Sequence, residues 1–80
     1  MELRVWHIQN VPSNPKYTFV KDVSEAIILI KILIASDLKC KDVFSNVFGL
    51  SILTADGWED WENENGESIM DVIDEMEEEL

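Results

Sequence analysis

The chain has 80 residues, 46% of them hydrophobic, with seventeen acids against six bases and a formal net charge of −11 at pH 7. This is one domain, residues 1–80, near the lower size limit for an independent core, so a homo-oligomer is expected. The polyanionic balance argues against direct nucleic-acid binding and favours a cationic protein partner.

The charge is unevenly distributed. Residues 1–41 hold all six bases and four acids, a sum of +2, whereas residues 42–80 hold thirteen acids and no base. The lone cysteine, Cys40, rules out an internal disulfide and a cysteine metal cluster, and suits a reducing cytoplasm. "MELRVWHIQN" lacks the cationic-then-apolar pattern of a secretion signal. The longest apolar run, "AIILIKILIA" (26–35), is broken by Lys31 and is about half the ~20 residues that span a bilayer. No membrane association is expected.

In chain order, Leu3, Val5 and His7 alternate with Arg4, Trp6 and Ile8 and predict a first strand. "VPSNPK" (11–16) is a turn, and "KYTFVK" (16–21), rich in aromatic and β-branched residues, predicts an antiparallel second strand. Ser24 is placed to cap a helix over roughly 25–38, with Glu25 in its first turn. That helix is apolar nearly all round, which predicts cover on more than one side, by the sheet and by a second helix or second copy. Its isoleucines would also suit a buried strand.

"KCKDVFSN" (39–46) reads as a loop and "VFGLSILT" (47–54) as a third strand. Asp56-Gly57 predicts a tight turn into a fourth strand, "WEDWEN" (58–63). After an Asn65-Gly66 turn, Ser68 and Asp71 resemble a helix start. Ile69, Val72, Ile73, Met76 and Leu80 then mark one face of an amphipathic C-terminal helix. The fold class is α+β: a small antiparallel sheet, in the order β-β-α-β-β-α, packed against a central apolar helix and the C-terminal helix.

Candidate chemistry is sparse. The only histidine, His7, lies within a strand, and no nucleophile motif surrounds Cys40 or any serine. No carboxyl pair is marked for the desolvation that a general acid needs. An enzyme is therefore not expected, nor is a cofactor. Aligning Gly66 with the invariant glycine of a calcium loop puts Asn63 and Asn65 at ligand positions but Trp61 and Val72 at its two ends, so no metal site is expected. Trp58 and Trp61, three apart, would face opposite sides of a strand, one in the core and one near the surface. The "DEMEEEL" tail opposes the helix dipole and reads most simply as solvated.

"LRVWHIQNVP", "VSEAIILIKILIASDL" and "NVFGLSIL…DGWEDWENENGESI" together resemble a small phage and prophage family of superinfection-exclusion proteins. The resemblance covers nearly the whole chain. Its motifs are Arg4-Val5-Trp6, Asp37-Leu38, Gly49-Leu50 and the W-E-D-W stretch from Trp58 to Trp61. The loop after Leu38 is shorter than the resemblance leads one to expect, and the family supplies no catalytic residues to carry over. What it implies is a phage accessory protein in the host bacterial cytoplasm, countering host defence by stoichiometric binding.

Two readings follow. In the first, Asp56, Trp58, Glu59, Asp60, Trp61, Glu62 and Glu64 contact the basic surface of a host defence protein. In the second, an oligomer sequesters a small nucleotide immune signal, with Arg4, Trp6, Lys16 and Lys21 around phosphate and base.

Overall fold

The computed structural model describes residues 2–10, 12, 14–39 and 46–78. Its elements are β1 (Leu3–Gln9), β2 (Lys16–Val20), α1 (Val23–Lys39), β3 (Asn46–Thr54), β4 (Gly57–Asp60) and α2 (Ile69–Glu78). The β-β-α-β-β-α order and the α+β class agree with the sequence reading, and the strand alternative for residues 25–38 is excluded.

β1 runs through the middle of an antiparallel four-stranded sheet of order β2-β1-β3-β4. Directly opposed residues share a face. Leu3, Val5 and His7 therefore lie beside Ile52, Leu50 and Phe48, and Leu3 lies beside Val20. This face meets α1 and α2, and with Ala26, Ile30, Ile69 and Ile73 it forms the core.

Helix α1 begins two residues earlier than Ser24 would set it. Asp22 Oδ1 accepts the Glu25 N–H at 2.8 Å, so Asp22 is the cap and Ser24 is an exposed helical residue. The Ser68–Asp71 start is realised in both directions: Asp71 N–H reaches Ser68 Oγ, and Ser68 N–H reaches Asp71 Oδ2.

Among the described residues, no second helix of the same chain covers the outer side of α1, which leaves Ile28 and Ile32 each 60% exposed. One expectation needs correction. The fourth strand stops at Asp60 rather than Asn63. Trp61 N–H makes one more bond, to the Leu50 carbonyl, and then the Asn63 side chain accepts the N–H groups of Asn65 and Glu67. That side-chain turn directs the chain away from β3 and into α2. Cys40, the loop over 40–45, and Leu80 lie outside the described residues.

Candidate functional site

The sheet order turns a charge asymmetry along the chain into one across the molecule. β2, with Lys16 and then Lys21, forms one edge; β4 forms the other. Every ionisable residue from 56 to 77 is acidic, and Asp56, Glu59, Asp60, Glu62, Glu64 and Asp71 are all exposed. These side chains form an acidic flank along β4, the following loop and the start of α2.

The residues assigned to protein contact do not all point one way. Trp58 and Asp60 oppose Leu53 and Ser51 and so lie on the sheet face away from the helices; Glu59 opposes Ile52 on the helix side. Trp61, past the strand, packs against the core. The expected split of the two tryptophans is thus present, although only Trp58 sits on the strand.

The face away from the helices is built around Arg4. Its guanidinium carbon lies 3.9 Å from the centre of the Tyr17 ring and 4.1 Å from that of Trp58. Trp58 comes from β4, so its ring must cross β3, and the small Ser51 leaves room for it. Trp58 also meets Phe19, ring centres 6.0 Å apart. Two residues along the strands the same device recurs: the Trp6 indole lies over Gly49, where a methyl group would overlap the ring. Arg4, Trp6, Ile8, Pro15, Tyr17, Ser51 and Trp58 border a cleft of about 330 Å³. Of the residues assigned to nucleotide binding, Arg4 and Trp6 meet there. Lys16 opposes His7 on the helix side and bonds Gln9, and Lys21 follows the end of β2; neither borders the cleft.

A second cavity, about 250 Å³, opens where β4 ends, bordered by Trp6, Leu50, Asp60, Trp61, Glu62 and Met70 among others. Leu53 N–H bonds the Glu2 carbonyl on the β1 side, whereas the Leu50 carbonyl takes Trp61 N–H on the β4 side. Alternate strand residues aim their backbone groups the same way. Phe48, two before Leu50, therefore aims its N–H and C=O away from β1, where the β4 register, which starts at Ser51, offers no partner.

His7 belongs to a polar cluster that the sequence did not announce. Its Nε2 donates to Asp37 Oδ2 at 2.8 Å, Asn46 Nδ2 donates to the same oxygen at 2.9 Å, and Gln9 Nε2 donates to Oδ1 at 2.8 Å. The His7 ring stacks on Phe48 with centres 4.5 Å apart. Burial pushes the Asp37 carboxyl up, but the hydrogen bonds from Asn46, Gln9 and His7, with the charge attraction of His7, outweigh it and hold the carboxyl below the usual range. The cluster fastens the end of α1 to β1 and β3. Among the described residues no three carboxylate, imidazole or thiol groups gather as a metal set.

No helix among the described residues is long and apolar enough to cross a membrane. No curated protein and no solved structure matches the chain. The model of one family, superinfection exclusion gene product 17, matches residues 2–80, the strands, both helices and the acidic hairpin alike. The chain belongs to this superinfection exclusion family, whose phage setting makes it a phage-encoded host-interaction protein.

Proposed function

We propose that this protein binds a host defence protein stoichiometrically in the bacterial cytoplasm and blocks it, using the acidic flank against a basic surface. The observation that carries this reading is the sheet order: it concentrates Glu59, Asp60, Glu62 and Glu64 at the edge opposite the lysines of β2. An edge dense in carboxylates steers a cationic partner and repels nucleic acid. Trp58, half-buried beside these acids, supplies aromatic contact area of the kind that anchors interfaces.

The experiment is a pull-down from host lysate at low and moderate salt, paired with infection assays. A variant with Glu59, Asp60, Glu62 and Glu64 all changed to Lys is compared with the native chain. Native protein is expected to retain its partner at low salt and lose it as salt screens the charges over about 10 Å. The variant is expected to lose both the partner and the protection. Equal capture and equal protection by both proteins would reject the proposal.

The nucleotide-sequestering reading has one observation in its favour, the meeting of Arg4, Trp6 and Tyr17 around a cleft. Against it, the Arg4 guanidinium is already held between two rings, and neither assigned lysine reaches the cleft. Release of a nucleotide on denaturing the purified protein would reverse this ranking.

A further inference from the structure

We propose, resting on the acidic-flank reading above, that the partner is engaged by strand addition. In this mode an extended, cationic segment of the host protein pairs with the edge of β3 at Phe48, in the step where β4 ends. Three independent features meet at this step.

The first is backbone. β3 extends from Asn46 to Thr54, but β4 pairs with it only from Ser51 to Thr54, and Trp61 adds a single bond at Leu50. The outward N–H and C=O of Phe48 are then positioned as the next rung of a ladder, and an extended chain satisfies both. The turn held by Asn63 keeps the protein's own chain from continuing along this edge.

The second is shape. The cavity of about 250 Å³ lies beside this edge, walled by the Trp6 and Trp61 rings, Leu50 and Met70. Trp6 reaches it only because Gly49 has no side chain to hold the indole off the strand. A strand laid on the edge brings one side chain to this opening, and an apolar one fits its walls. Backbone pairing supplies affinity in such recognition, and the pocket supplies selectivity.

The third is charge. Asp60 and Glu62 stand at the cavity rim, with Asp71 exposed at the start of α2. A lysine or arginine beside the apolar residue would meet these acids. The same charge disfavours a second copy as the occupant, because both chains would bring a net −11 to the contact. The opposite edge strand, β2, carries Lys16 and is followed by Lys21, so its open edge is protected by like charge against the same cationic segment.

The test uses the full-length protein, isotopically labelled, and a capped octapeptide of alternating valine and lysine. Its control is the same peptide N-methylated at alternate residues, which keeps the charge and the side chains but cannot pair as a strand. Titration is expected to shift the amides of Phe48, Gly49 and Leu50 and the Trp61 indole, and to slow exchange of the Phe48 amide. The N-methylated peptide is expected to bind at least roughly tenfold more weakly, the loss of one to two net backbone hydrogen bonds.

Equal binding of the two peptides, with shifts confined to Glu62, Glu64 and α2, would overturn strand addition and leave the acidic-flank reading standing. Shifts at Phe48 on concentrating the protein without peptide would overturn it in favour of self-pairing. If neither peptide binds, strand addition fails, and the lysate experiment with the charge-reversed variant decides separately whether the flank reading fails too.

Discussion

β1 has two faces, and they are finished by different means. Its odd residues, Leu3, Val5 and His7, are buried beneath α1 and beside β3. Its even residues, Arg4, Trp6 and Ile8, lie on the opposite face, with Tyr17 and Trp58 on Arg4 and Gly49 beneath Trp6. The first face removes apolar surface from water by bringing another element down on it, which is the largest stabilising effect available to a small domain. The second packs rings against a guanidinium and leaves Phe19 64% exposed. Most of the burial resides on one face; partly exposed aromatic and acidic side chains are left on the other and along the flank.

The sharpest way to break that comparison is to empty the helix side. Ile30 is fully buried against the sheet. Ile30→Ala is expected to cost about 2–5 kcal/mol in urea unfolding, enough to leave so small a domain partly unfolded. A cost below about 1 kcal/mol would place the stabilising core elsewhere.

Next comes the buried carboxylate. Asp37→Asn replaces an acceptor of three hydrogen bonds by an amide that must turn a donor toward one of them, with an expected loss of about 1–3 kcal/mol near neutral pH. Because the folded carboxyl titrates below its ordinary range, its contribution is present above the unfolded value of about 4 and is lost as pH falls through the lower folded value. The stability gap between native protein and Asp37→Asn should therefore close on acidification below about pH 4. A gap independent of pH would mean that the ionised form is not what the cluster favours.

On the open face, Gly49→Ala forces the Trp6 indole off β3. The expected cost is about 1–3 kcal/mol with a changed tryptophan emission, while the helix signal in circular dichroism stays intact. Smaller again is Arg4→Gln, which removes the cation between two rings for a loss of about 0.5–2 kcal/mol. If Arg4→Gln proved as damaging as Ile30→Ala, the two faces would not differ in the way proposed.

By itself the sequence determined the element order and fold class, because hydrophobic periodicity and turn chemistry are local properties. Alternation marked β1, Asp56-Gly57 marked the β3–β4 turn, and Ser68 with Asp71 marked the start of α2. It also pointed to Trp58 and Trp61 parting company, although β4 ends at Asp60 and Trp61 reaches the core from beyond the strand. Boundaries were less legible: Asp22 rather than Ser24 caps α1 because the choice between adjacent caps depends on where the chain leaves β2. A glycine inside a strand, Gly49, is a local signal of close approach by another group, here the Trp6 indole.

Only the tertiary structure decided the rest. The cluster at Asp37 joins residues roughly thirty positions apart on β1 and α1, and no local pattern marks a lone aspartate in a helix for burial. The Arg4 clamp needs β2 and β4 on opposite sides of the same two central strands. The acidic flank exists because strand order, which is a matter of global pairing, puts β4 at an edge, and the β3 step exists because the Asn63 turn ends β4 short of its neighbour.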